Sequence, residues 1–267
     1  MSDALKLVLQ RVERAKEQRR DLETDMRAWA KNGAYGVGTQ PDPQTGQTIF
    51  YLGEIKPLTP LSGALIGEII HSLRTALDHL AYQLFLICRK DPSDDGSKIE
   101  FPIYDDTKTT EAKAFRPIET FRPEIIEAFH AINPCKSGNP LLWVLHRLDI
   151  VDKHRRILTN FVAHHSIFIR DAMRQLLTQA GYADMPPWVD LKRSFLTSTR
   201  TGRRAQVGDV LFRGMPGDEE VNKHLQFTFN VAFDEPGIVE GEPVVETLDE
   251  MLKVVENLVL SFEPFLV

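Results

Sequence analysis

Cysteine is almost missing from this sequence. Only Cys88 and Cys135 occur in 267 residues, too few for a disulfide framework or a cysteine-based zinc motif, so a reducing compartment is expected. Long apolar runs are missing too: no stretch approaches the roughly 18 uninterrupted apolar residues of a membrane-spanning helix. The opening M-S-D-A-L-K-L-V-L-Q-R lacks the apolar core and small-residue cleavage site of a secretory leader. A cytoplasmic location with no membrane association is the expectation. Nor is there an excess of positive charge. A formal net charge of −6 excludes a uniformly basic nucleic-acid-binding coat and leaves room only for a local basic groove. The sequence has no G-x-x-x-x-G-K-[ST] loop, no G-x-G-x-x-G after a strand and no G-x-S-x-G elbow. It has no internal repeat or low-complexity tract.

What is present is an ordinary globular composition, 42% hydrophobic and 26% charged, with enough chain to bury a core without cross-links. The most informative stretch spans residues 62–90. Leu65, Ile66, Ile69, Ile70, Leu73, Leu77, Leu80, Leu84 and Ile87 recur three or four apart, the period of an amphipathic helix. At 1.5 Å per residue that helix is about 40 Å long, and Ser62 is its predicted N-cap. Cys88 falls in its apolar part, where a buried free thiol is expected. Polar residues interrupt the middle. His71, Arg74 and Asp78 are spaced i, i+3, i+7 and share one face, while His79 lies roughly 140° around the helix from Arg74.

The remaining elements follow from local pattern. Residues 3–31 read as a helix with a narrow apolar stripe. Residues 34–55 read as two strands about the turn P-D-P-Q-T-G, and 98–104 as a short strand. Residues 109–131 are helical with interruptions at Pro117 and Pro123. Residues 139–158 form a second informative helix, capped by Asn139 with Pro140 in the first position. His146, Asp149 and Lys153 lie on one polar face of it, and Asp149/Lys153 and Asp152/Arg156 are predicted i,i+4 pairs. Residues 159–243 are β-rich, with a short helix at 171–180 and strict alternation at Leu225, Phe227, Phe229, Val231 and Phe233. An amphipathic helix at 246–266 closes the chain. The expected fold is α+β in a single domain over residues 1–267. A helical bundle from 3–31, 62–158 and 246–266 carries an inserted, largely antiparallel β-sheet region from 34–55 and 159–243.

The segment Arg74-Thr-Ala-Leu-Asp-His79 has the form R-x4-H. In this it resembles the HEPN superfamily, all-helical domains whose signature is an arginine, usually followed by a polar residue, with a histidine four to six positions on. The resemblance is confined to the helical part, and Thr75 stands where the family more often has Asn, Asp or His. It implies a metal-independent endoribonuclease of the toxin–antitoxin or phage-defence kind. Arg74 and His79 would be catalytic, no cofactor or metal would be needed, and the chain would form a homodimer. RNA would be the substrate, and an antitoxin or effector protein the partner. Non-catalytic members imply the alternative of a nucleotide- or partner-binding protein.

The chemistry fits those residue types. Metal-free cleavage of RNA needs a base for the 2′-hydroxyl, an acid for the leaving 5′-oxygen and a cation for the phosphorane charge. Histidine titrates near neutrality, and arginine offers a permanently charged planar fork. Thr75, Asp78 and His71 would support the pair, and Lys153, His154, Arg155 and Arg156 would line an RNA groove. Two other readings use the same residues. Arg74 and Asp78 form a structural i,i+4 pair, or Asp78 holds Lys153 or His154 and ties two helices together. Alternatively His71, with Asp78 or His79 and with Asp149 and His154, holds a divalent metal in a bundle core. His164 and His165 point to opposite faces of a strand. The basic pairs at 192–193 and in R-T-G-R-R at 200–204 read as solvated loops. His130, His146 and His224 have no evident partner, and Trp143 reads as core.

Overall fold

The computed structural model describes residues 2–89, 91, 93–162, 205–213 and 230–266. The first helix, α1, spans Asp3–Lys31, and the Ser2 hydroxyl accepts the Leu5 N–H at its start. The central helix, α2, spans Pro60–Cys88 and begins three residues earlier than the sequence predicts. Thr59, not Ser62, caps it: the Thr59 hydroxyl accepts the Ser62 N–H at 2.9 Å, and Pro60 fills the first helical position, where a missing N–H costs nothing. Ser62 is buried and donates its own hydroxyl to Asp25 of α1 at 2.6 Å. The hydroxyls of Ser62 and then Thr59 hold the Asp25 carboxyl below its usual range, which joins α1 to the positive end of α2.

After α2 come α3 (Lys108–Phe115), a 3-10 turn at Arg116–Ile118 and α4 (Pro123–Ile132). The prolines open these short helices rather than break a long one. Residues 98–104 do not form the predicted strand: Lys98 lies in a turn, and Tyr104 makes an isolated bridge to Cys135. Helix α5 covers Pro140–His154 and the closing helix α6 covers Val244–Ser261, followed by a 3-10 turn at Glu263–Phe265. The apolar stripes of α1, α2, α5 and α6 meet in one core cluster around α2. Leu5, Val8, Ile69, Leu73, Leu77, Leu145, Leu148, Leu248 and Val255 are among its fully buried members. Each such side chain contributes about 1.5–3 kcal/mol.

Among the described residues the β segments are antiparallel, as expected, but they divide between two three-stranded sheets. Strand β1 (Tyr35–Pro41) pairs with β2 (Thr48–Ile55), and β2 with β4 (Val210–Arg213). Strand β3 (Thr159–Val162) pairs with β5 (Asn230–Glu235), and β5 with β6 (Val239–Pro243). Val231, Phe233 and Val239 join the helical core, so the second sheet lies on the bundle. The fold is α+β. The predicted helix at 171–180 and the alternating residues Leu225–Phe229 fall outside the described residues. Cys88 is half-buried rather than buried. Among the described residues no helix is long and apolar enough to cross a membrane.

Helix α5 stops at His154 rather than 158 because Arg155 leaves the helix with φ −162° and ψ 160°. Its guanidinium then reaches both oxygens of Glu235 on β5, at 2.9 and 2.7 Å. Glu235 is 1% exposed and also accepts the Leu158 N–H at 2.6 Å. Removing this shared acceptor leaves three N–H groups, two of Arg155 and one of Leu158, without it. A Glu235→Ala variant should lose about 1–3 kcal/mol in urea unfolding, and an unchanged midpoint would show that this joint carries no stability.

Candidate functional site

Helices α2 and α5 lie side by side, and their polar residues meet at two successive levels, one turn apart on each helix. At the first level Arg74 of α2 is 4% exposed. One terminal nitrogen, Nη1, forms a 2.6 Å ion pair with Asp78, outside hydrogen-bond alignment. Its Nε donates to His146 Nδ1 of α5 at 3.3 Å, and Nη2 donates to the Phe101 carbonyl at 3.2 Å. Asp78 in turn accepts the Phe101 N–H at 2.9 Å. Arg74 and Asp78 thus grip both backbone polar groups of Phe101. The Phe101 ring is buried against Phe129, edge to face at 5.2 Å.

This environment sets the protonation states. Burial raises the Asp78 carboxyl above its usual range, outweighing the downward pull of Arg74. Burial, and then the Arg74 charge, push His146 down to about 4. His146 is therefore neutral at pH 7. With Nδ1 accepting from Arg74, its proton sits on Nε2.

The first level opens into a cleft of about 580 Å³ lined by Arg74, Lys98, Lys113, His146 and Arg147 and by the carboxylates of Glu100 and Asp105, with Trp143 and Tyr104 in its wall. Arg147 Nε is buried without a hydrogen-bond partner. The Trp143 indole donates to Asp105 at 2.7 Å, and Lys136 sits 4.8 Å from its ring centre. Burial pushes the Tyr104 phenol up to about 12, so it remains protonated, and it donates to Asn133 at 3.0 Å.

At the second level the His71 and Asp149 side chains meet, Nδ1 to Oδ1, at 3.0 Å. Asp149 is 1% exposed, and its other oxygen pairs with Lys153 at 2.7 Å. The His71 side chain is 59% exposed, and its Nε2 lies 3.5 Å from the Thr75 hydroxyl. Asp152 reaches the same seam because residue 67 is glycine: a Cβ there would lie 2.3 Å from its carboxylate. Burial, then the charge of Asp149, hold Asp152 above its usual range.

His79 is on another side of α2. It faces α1, in a groove of about 510 Å³ with Arg11, Arg14 and Tyr82. Burial and then the Arg11 charge hold it below the usual imidazole range. A single chain therefore does not bring Arg74 and His79 into one cleft; the 140° between them on the helix sends them to different neighbours. The basic cluster is dispersed as well. Lys153 pairs with Asp149, Arg155 with Glu235, and the Arg156 side chain lies against Gly63. His154, the last residue of α5, is exposed. The predicted Asp152–Arg156 pair does not form, because the helix has ended. Asp78 holds Arg74, not Lys153 or His154.

His146, which has no evident partner in the sequence, is a central member of the site. Its spacing from Asp149 matches that of His71 from Arg74, and that shared i,i+3 step was the available signal. Nothing local pointed to Phe101, Lys98, Lys113 or Arg147. His130 stacks on Phe115 with ring centres 4.1 Å apart. His164, His165, His224 and the basic segments at 192–193 and 200–204 lie outside the described residues. Among the described residues no group of three His, Cys, Asp or Glu is placed to hold a metal ion.

No protein-family model matches the chain, no curated protein matches it in sequence, and no solved structure matches it in fold.

Proposed function

We propose that this protein binds single-stranded RNA through the cleft between α2, α5 and the segment at 97–105. The observation that carries this is the convergence of Lys98, Lys113 and Arg147, with the Asp78-paired Arg74, on one cleft whose acidic members are Glu100 and Asp105, in a chain whose formal net charge is −6. Local cation excess against a negative background focuses anionic ligands at one place. Guanidinium groups match phosphate oxygens in pairs. RNA is also the ligand that the family resemblance implies.

Fluorescence anisotropy with a labelled single-stranded RNA tests it. Binding should weaken as salt rises, because displaced counterions drive it. A Lys98→Ala/Lys113→Ala double variant, altered only at exposed side chains, should bind roughly tenfold more weakly and with a slope about 1.4 smaller. An RNA that fails to bind at low salt would remove the reading.

A second reading is metal-independent RNA cleavage by Arg74 and His79 in a toxin or phage-defence role. The neutral state of His79 favours it, since burial and Arg11 leave the ring able to accept a proton at pH 7. It requires a second copy of the chain to bring one His79 beside the other copy's Arg74. Light scattering that detects only monomer at working concentration would count against it.

A further inference from the structure

We propose that His71, rather than His79, is the proton-accepting group of an RNA-cleaving site on the α2–α5 seam, with Asp149 as its positioning residue. The proposal rests on the RNA-binding reading of the neighbouring cleft.

Three observations support it. First, the tautomer of His71 is set. Asp149 is a buried carboxylate that presents Oδ1 to His71 Nδ1 at 3.0 Å. The Nδ1–H donates to it, which leaves Nε2 as the acceptor, on the exposed side of the ring with the Thr75 hydroxyl as its long, 3.5 Å partner. A carboxylate in that place also stabilises the imidazolium formed when the ring takes a proton. Second, the ring edge that would react is accessible. The His71 side chain is 59% exposed, and the Thr75 hydroxyl at 3.5 Å from Nε2 marks a position beside it that a hydroxyl can occupy. Third, an accessible cation stands beside it. Lys153 sits on the other Asp149 oxygen at 2.7 Å with its side chain 55% exposed, leaving ammonium hydrogens for a phosphate. Arg74 lies one turn, about 5 Å, along α2 in the cleft wall. His79 has none of this arrangement: among the described residues it has no hydrogen-bond partner to orient it.

The step conserves atoms and charge. A 2′-hydroxyl proton passes to His71 Nε2, the O2′–P bond forms, and the P–O5′ bond breaks. The departing 5′-oxygen takes a proton from solvent, and His71 returns its proton to solvent. The products are a 2′,3′-cyclic phosphate and a 5′-hydroxyl end. The charged and titratable groups facing His71 are Glu68 on its own helix and Asp149, Asp152 and Lys153 on α5.

The test uses the full chain with EDTA and two labelled single strands of one sequence, one ribose and one fully 2′-O-methylated. Anisotropy on the methylated strand measures binding without cleavage. Wild type should bind both strands and cut only the ribose one, leaving cyclic phosphate. His71→Ala should lose roughly 10²–10⁴ in cleavage rate yet bind the methylated strand as wild type does. Asp149→Asn should lower kcat for the ribose strand while leaving KM and binding of the methylated strand unchanged. His130→Gln, remote from the seam, should cut normally. Binding without any cutting overturns the proposal and leaves the RNA-binding reading standing, whereas absence of binding overturns both. Full activity in His71→Ala with loss in His79→Ala also overturns it.

Discussion

Arg74→Ala is expected to lower stability by roughly 3–5 kcal/mol, the range for breaking a buried ion pair by removing one member. The guanidinium is 4% exposed and serves Asp78, His146 and the Phe101 carbonyl together. Its loss leaves a largely buried carboxylate without its cation and a buried carbonyl without its donor. Asp78 is the more exposed member, with about a third of its side chain accessible, so Asp78→Asn should cost less. Asparagine also keeps an oxygen for the Phe101 N–H. Replacing both ions, Arg74→Met with Asp78→Leu, should cost less than the sum of the two single removals, since no charge is then left unpaired. Urea unfolding measures all of these. An Arg74→Ala midpoint equal to wild type would show that the grip on Phe101 contributes nothing. The same result bears on function: if Arg74→Ala is this unstable, its loss of RNA binding or cleavage does not by itself identify Arg74 as a ligand contact.

The second large effect is pH-dependent. His146 has a folded value of about 4 against an ordinary 6.5, so the folded state binds fewer protons than the unfolded one between those values. The stability it contributes is fully present above pH 6.5 and falls away as pH drops toward 4. The gap corresponds to about 3 kcal/mol at ~1.4 kcal/mol per pH unit. Asp78 and Asp152 act in the opposite sense, because their folded values are raised: protonation of these carboxyls on acidification favours the folded state. Wild type alone therefore shows a mixed curve, and a difference curve isolates the imidazole. His146→Asn keeps an acceptor near Arg74 Nε and removes the titration. The stability difference between wild type and His146→Asn should shrink by about 3 kcal/mol between pH 6.5 and 4. A difference that stays flat over that interval would mean that His146 is neither desolvated nor opposed by Arg74.

The elements that could be read from sequence are those whose causes are local. The stripes of α1 and α2 repeat at the helical period, and the β1–β2 hairpin is bracketed by P-D-P-Q-T-G, so near-neighbour contacts settle each of them. The start of α2 was also local but depended on the order of signals: threonine before proline at Thr59-Pro60 outranks the serine at Ser62 as a cap. The end of α5 was not local. Arg155 abandons the helix for Glu235, which lies 80 residues further along the chain, and no helical pattern contains that information.

For the site, the sequence by itself determined which residue types are on offer and how they are spaced on their own helices. Histidine, arginine and aspartate stand at 71, 74 and 78, histidine, aspartate and lysine at 146, 149 and 153, and His79 is turned about 140° from Arg74. Only the tertiary structure decided who meets whom. It set α5 against α2, so that residues 72 and 78 positions apart came within hydrogen-bond distance, Arg74 with His146 and His71 with Asp149. It also put α1 against the His79 side. The reason is that helix periodicity is an intrahelical property, set by 3.6 residues per turn. The pairing of polar groups across an interface instead depends on which apolar stripes dock, and on the need for each polar group carried inside to find a partner there.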